Sequence, residues 1–324
     1  MIQDPRELKR RLLLRLKGVE SVHPLIGPAT VQLHLTDLCN LTCRYCYYYG
    51  PGVSPRPTGK NHLPFDLFEN IVRDCADLQV DIIYLSGQGE PTLHPRFYDM
   101  LHYLESSFAI TINSNGTFPL ERCRDILRAN RIVINLGEAD RKSYQALQGK
   151  DFFVKVIKNI RELSRLRPQF NPDFCIEVVF ITTRLNIASL ARTENLVKKL
   201  GVDVVRKTIG EASEYNRDIM FASKSKNEEN IHKWSPCFYG WFYSAIRLNG
   251  DVNVCNLTRR STIGNVYKTS FKDIWDSNAY SFARTSALTG KPFMNSHECA
   301  NCRAALRNQE IVAQMQMFNR VRKV

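Results

Sequence analysis

Nothing in these 324 residues is low in complexity or repeats at a short period, which excludes fibrous and solenoid architectures. The N-terminus has no long apolar run. Met1 to Gly18 is basic, and its apolar stretch, Leu12 to Leu14, is far too short for a signal peptide or a membrane span. A cytoplasmic protein without a membrane partner is expected, with Arg6 to Lys17 as a surface helix. Ten cysteines are too few for a disulfide scaffold in a chain this long. Acidic residues are outnumbered by basic ones, 32 against 45, leaving a formal charge of +13. That balance favours an acidic partner. No RNA-binding module is legible, so a nucleic-acid substrate is not expected.

What is present is alternation. Strand-like segments at Thr30–Thr36, Asp81–Ser86, Phe108–Asn113, Arg131–Leu136, Phe174–Thr182 and Val202–Thr208 are rich in Val, Ile, Leu, Phe and Thr. Helical patterns lie between them at Pro64–Gln79, Pro95–Ser106, Pro119–Ala129, Asp151–Leu166 and Ile187–Leu200. Six βα units imply parallel strands with right-handed crossovers. They are too few for a closed eight-fold barrel, so an α/β fold with an open, partial (β/α)6 barrel is expected over residues 30–210, its site at the C-terminal ends of the strands. Residues 1–29 read as an N-terminal helical extension and 211–236 as a linker or substrate loop. Residues 237–324 read as a small C-terminal domain, with a β-hairpin turning at Asn249-Gly250 by a type I′ turn and a helix over Ala304–Phe318.

Seven of the ten cysteines are grouped. Cys39, Cys43 and Cys46 follow the first strand with gaps of three and two residues, and can converge on one metal centre from a single loop. A [4Fe–4S] cluster held by protein alone takes four thiolates, so three leave one iron open to a small molecule. Zinc is the alternative, with a fourth ligand such as His62. Cys237, Cys255, Cys299 and Cys302 offer four thiolates, enough to close a second cluster or a four-thiolate zinc site.

With Tyr45 just before its third cysteine, the first group resembles the hallmark motif of the radical S-adenosylmethionine (SAM) enzymes. The resemblance implies that the amino and carboxylate groups of SAM chelate the open iron. An electron, delivered by a flavodoxin- or ferredoxin-type reductant, then cleaves SAM to a 5′-deoxyadenosyl radical. Ser86-Gly87-Gln88-Gly89-Glu90-Pro91 is similar to the family's Gly-Gly-Glu-Pro motif, with Gln88 in place of the first glycine. It implies that Gln88, Gly89 and Glu90 meet the SAM amino group. Asn113-Ser114-Asn115-Gly116-Thr117 is similar to the family's Thr-Asn-Gly turn, which puts Asn113 and Asn115 on the cofactor side. Asn135-Leu136-Gly137-Glu138 stands where the family has Ser and Asp, which puts Asn135 near the SAM carboxylate. Cys237 to Cys255, with Ile263-Gly264-Asn265-Val266 and Ile274-Trp275, resembles the start of a SPASM domain. Four cysteines match its shortened "twitch" form, which holds one auxiliary [4Fe–4S] cluster.

Other residues are weighed on chemistry alone. Glu177, inside the barrel by strand alternation, needs a charged partner or a ligand and is a candidate SAM or substrate contact. Cys175 and His34 are candidate lumen residues. Arg206 and Lys207 are placed to meet an acidic substrate, Tyr47-Tyr48-Tyr49 to shield a cluster, and Cys75 to fill core. The expected function is oxidation of a small polar metabolite such as a sugar or aminocyclitol. Peptide maturation or a non-catalytic iron–sulfur role are the alternatives.

Overall fold

The computed structural model describes residues 4–209, 218–220, 237–255 and 262–289, together with Asn308, Ile311 and Ala313. Cys299 and Cys302 lie outside the described residues, as do most of the expected loop over 211–236 and most of the expected helix over 304–318. The chain divides into two compact units. One comprises Met1–Leu33, Pro64–Ile83 and Lys224–Val324; the other comprises His34–Leu63 and Tyr84–Ser223.

The second unit is built on the parallel strands β3 (Ala109–Ser114), β4 (Arg131–Asn135), β5 (Cys175–Thr182) and β6 (Val204–Ile209), with the end of β2 (Ile82–Ser86) beside β3. β6 stands at the sheet edge, so the barrel is open. On β5 the fully buried Ile176, Val178 and Phe180 alternate with Glu177 and Val179, the period-two pattern of a strand with two different faces. The helices α3 (Phe97–Leu104), α4 (Cys123–Ile126), α6 (Phe153–Phe170) and α7 (Leu190–Lys199) follow their strands as the periodicity predicts. α6 buries Val156, Asn159, Ile160, Leu163 and Leu166 along one stripe. One helix lies outside the periodic pattern: α5, Arg141–Gln148. Its signals are local. Asp140 caps it, accepting from Ser143 N at 2.9 Å, and Gly149 ends it at φ +84°.

The first unit holds α1 (Pro5–Glu20), β1 (Thr30–His34), α2 (Phe65–Asp77) and the strands β7 (Tyr243–Ile246), β8 (Asp251–Asn253) and β9 (Gly264–Asn265). Short helices cover Tyr239–Phe242 and Phe271–Asp276, and a longer one covers Asn278–Thr289. β7 pairs in parallel with β1, from Thr30 with Tyr243 to Leu33 with Ile246, while β8 and β9 continue antiparallel. The hairpin forms at the expected place with a different turn. Gly250 N donates to Arg247 O (2.9 Å) and Arg247 N to Asp251 O (2.9 Å), and Gly250 (φ +83°) rather than Asn249 takes the left-handed conformation. This is a three-residue loop with a glycine bulge, not a type I′ turn.

Burial in this unit is organised by Arg15 of α1, only 2% exposed. Its guanidinium pairs with Asp81 Oδ2 at 2.5 Å and donates to the carbonyls of Gly27 (2.9 Å), Pro28 (3.2 Å) and Gln79 (2.9 Å). One cation thus satisfies three loop carbonyls that no regular structure would pair. Arg15→Met is expected to lower the free energy of unfolding by about 3 kcal/mol, since it removes one of the two arginines that pair with the buried Asp81 and leaves several carbonyl acceptors without this donor. The midpoint of denaturant unfolding measures this.

Candidate active site

The segment after β1 that carries Cys39, Cys43 and Cys46 has no helix or strand of its own, and its backbone is held by three neighbours. The first is the turn after β2. Gly89 N donates to Thr36 O (3.0 Å) and Glu90 N to Leu38 O (2.8 Å). A Cβ on Gly89 would stand 2.1 Å from Leu38 O, so only glycine allows this approach. The second is the turn after β3. Asn40 donates to Thr117 Oγ1 (2.8 Å) and accepts from Asn115 Nδ2 (2.8 Å). The third is the end of α5. Thr42 N and Arg44 N donate to the carbonyls of Gln148 (3.2 Å) and Leu147 (2.9 Å).

Glu90 ties the first two together. Its buried carboxylate accepts from Thr92 Oγ1 (2.7 Å), Ser114 Oγ (2.7 Å) and Asn115 N (2.6 Å). Burial pushes its pKa up, against the pull of these donors. The carboxylate therefore braces two turns besides anything it offers a ligand. Asp37 shapes the same loop through Asn61 N (2.9 Å) and Asn61 Nδ2 (2.6 Å).

Burial dominates the thiols. Cys39 is pushed up to about 12 by desolvation, against backbone hydrogen bonds at Leu41 and Asn40. Cys43 is raised well above the usual thiol value by desolvation and then by Cys46 and Cys39, so these sulfurs are near enough to disfavour one another's charge. Thiolates here require a cation. The donors suit one: Tyr48 N and Tyr49 N point at Cys46 Sγ, at 3.4 and 3.3 Å. Cys43 Sγ and Tyr45 OH both donate to Gln148 Oε1, at 2.6 and 2.8 Å. Gln148 Nε2 is buried without a partner. Turning the amide over would present N–H to a Cys43 thiolate. Among the described residues no three His, Cys, Asp or Glu side chains are gathered as a metal-binding group. The apolar cluster of Tyr45, Leu147, Ile219 and Met220 packs against Cys43 and Ile181.

Of the other sequence candidates, Gln88 and Asn135 are half-buried and Asn113 is exposed. Asn135 Oδ1 and Glu138 Oε2 are buried acceptors without a hydrogen-bond partner, at the end of β4 where the SAM carboxylate is expected. Burial also raises the pKa of Glu138. A protonated or cation-matched Glu138 suits that place better than a bare carboxylate does. Glu177 has the charged partners that its burial calls for: its carboxylate pairs with Arg131 and with Arg206 Nε at 2.5 Å. Arg206 is used there, and Lys207 pairs with Glu194 at 2.9 Å. His62 Nδ1 meets Thr36 Oγ1 at 2.8 Å, and Cys75 is core, as expected.

Cys237 and Cys255 are half-buried in the first unit and form no disulfide. Cys237 N donates to Ala287 O at 3.0 Å, which pins it to the helix Asn278–Thr289. Cys255 follows β8.

A sequence profile of the Radical SAM superfamily matches residues 33–183, and one of an iron–sulfur cluster-binding SPASM domain matches residues 237–303. The chain belongs to the radical SAM superfamily. This radical SAM enzyme therefore takes SAM and a [4Fe–4S] cluster in its barrel and iron–sulfur in its C-terminal domain. It is similar to the tungsten-containing aldehyde ferredoxin oxidoreductase cofactor-modifying protein of Pyrococcus furiosus, 23% identical over 78% of this chain and 82% of that protein. A probable GTP 3′,8-cyclase of Pyrococcus abyssi is 28% identical over 42% of this chain and 44% of its own length, so the chain spans less than half of that curated relative. Among solved structures, SuiB of Streptococcus suis bound to S-adenosylmethionine superposes with a TM-score of 0.65 at 17% identity, covering 92% of this chain and 76% of that one. Native anSMEcpe with bound AdoMet gives a TM-score of 0.60 at 14% identity, covering 86% and 87%. These likenesses carry the fold: an open barrel followed by a strand-bearing C-terminal domain. Among the described residues no helix is long and apolar enough to cross a membrane.

Gln148 is not legible in the sequence as a site residue, because it ends a helix of only eight residues that is polar on average and buries just Tyr144, Leu147 and Gln148 itself. Gln148→Leu keeps the volume but removes the amide from Cys43 and Tyr45. It is expected to slow 5′-deoxyadenosine formation about tenfold, the usual scale for losing a hydrogen bond to a cluster ligand. Anaerobic turnover with chromatographic detection of the nucleoside measures it.

Proposed function

We propose that Cys39, Cys43 and Cys46 hold the SAM-binding cluster, that Cys237, Cys255, Cys299 and Cys302 hold one auxiliary cluster, and that the enzyme oxidises a small polar metabolite. When bound, the cluster and SAM supply a 5′-deoxyadenosyl radical that abstracts a substrate hydrogen. The observation behind the reading is the cysteine loop itself, irregular and half-buried, with backbone donors aimed at Cys46 Sγ. Three thiolates leave one iron for SAM. Asn115, bridged to Asn40 and Glu90, and the open acceptors Asn135 and Glu138 offer polar contacts for the SAM amino acid group. Tyr45 and Leu147 exclude water beside Cys43. Four thiolates at the second centre close it to substrate, which suits an electron acceptor, and removal of hydrogen from an alcohol leaves an electron to accept. A reductant of flavodoxin or ferredoxin type is proposed to deliver electrons to the barrel cluster. Peptide modification is the second reading, favoured by the likeness in fold to SuiB, a protein solved bound to its precursor peptide SuiA.

Anaerobic reconstitution is expected to load about eight irons per chain, in two four-iron clusters. The combined replacement of Cys39, Cys43 and Cys46 by Ala should halve the iron and abolish 5′-deoxyadenosine production. Replacing Cys255 and Cys302 should also halve the iron yet leave some SAM cleavage uncoupled from product. Deuterated polyols that pass label to 5′-deoxyadenosine identify the substrate class. Label arriving from a peptide, and from no polyol, would overturn the metabolite reading.

A further inference from the structure

The helix Asn278–Thr289 carries a fully buried cation, Arg284. Its Nε donates to Gly240 O at 2.9 Å and its Nη2 to Trp275 O at 3.0 Å. The guanidinium lies 4.2 Å from the ring centre of Trp275 and 4.3 Å from that of Tyr280. Its Nη1 has no hydrogen-bond partner. No carboxylate among the described residues forms an ion pair with it. Desolvation lowers its pKa to about 10, with Tyr280 and Asp276 opposing, so it remains charged at neutral pH. Gly240 makes room for it, since a Cβ there would stand 2.9 Å from Arg284 Cγ. Two aromatic faces offset part of the cost of burying a lone cation, but they do not neutralise it.

The neighbours of Arg284 lie close to two of the auxiliary cysteines, Cys237 and Cys255. One turn along the same helix, Ala287 O accepts from Cys237 N at 3.0 Å. Gly240, which takes Nε, is in the short helix that follows Cys237. Tyr280, stacked on the guanidinium, lies within electrostatic reach of Cys255. A four-thiolate iron–sulfur cluster is an anion, and it gains one further negative charge when reduced. We infer that Arg284 is the buried counter-charge of the auxiliary cluster and holds its reduction potential up, so that the cluster accepts an electron readily. Arg284 is a positioning residue in this role, acting on the cluster through the field of its charge. The inference rests on the reading that these four cysteines hold a four-iron cluster.

The test uses the full chain with Cys39, Cys43 and Cys46 replaced by Ala, so that only the auxiliary cluster titrates. Its potential is followed by electron paramagnetic resonance during a redox titration, with Arg284 intact and as Arg284→Lys, Arg284→Gln and Arg284→Met. The neutral variants are expected to shift the oxidised-to-reduced ratio at fixed potential at least tenfold toward oxidised, about 59 mV for one electron. The lysine variant, which keeps the charge, should recover most of that shift. Gln retains a hydrogen-bonding amide, so it is the variant titrated if Met fails to hold iron. An unchanged potential in an iron-replete neutral variant overturns the inference alone, as does an equal shift in Lys and Gln. Zinc in place of iron at this site overturns the cluster reading and the inference together.

Discussion

The candidate site depends on one constraint: the chain between Thr36 and Cys46 forms no helix or strand, so its backbone polar groups have to be paired by other parts of the unit. An unpaired buried amide costs as much as a lost hydrogen bond. The turn after β2, the turn after β3 and the end of α5 each supply the missing partners. Glu90 and Asn115 cross-link two of those three supports. Each of these bonds is made by the protein alone, and to that extent they lower the entropy cost of ordering the loop when a cofactor binds.

Electrostatics runs the same way at both cysteine groups. Around Cys39, Cys43 and Cys46, burial and mutual proximity disfavour thiolates. In the first unit a fully buried arginine lies on the helix that pins Cys237. Each arrangement carries a desolvation cost as a bare protein, and a group of opposite sign would lower it. Glu177 shows the contrast. Its charge is matched inside the protein by Arg131 and Arg206.

Much of the fold is legible in the sequence because it rests on local signals. All six strands of the alternation exist, because their β-branched and aromatic composition and their flanking helices agree. The cysteine triad is legible because its chemistry resides in spacing. The differences have physical reasons. Helix α5 is short and polar and is set by its caps, so a search for apolar periodicity passes over it and over Gln148 with it. Strand alternation places Glu177 on the interior face of the barrel, but a partner distant in sequence, such as Arg131, is invisible without strand register. The hairpin turn differs from expectation because Asn-Gly suits two turn types, and strand pairing decides between them.

The parallel pairing of β1 with β7 joins residues near the start of the chain to residues about two hundred positions later, with Tyr243 OH also donating to Gln32. During synthesis β1 emerges early, yet its partner leaves the ribosome only after the whole barrel segment. One edge of β1 stays unzipped for that interval, and an unpaired edge is a template for wrong pairing. Closure over such a loop also places the fold among slow, high-contact-order topologies. Emergence of β7, rather than collapse of the barrel, is then the event that closes this edge of β1.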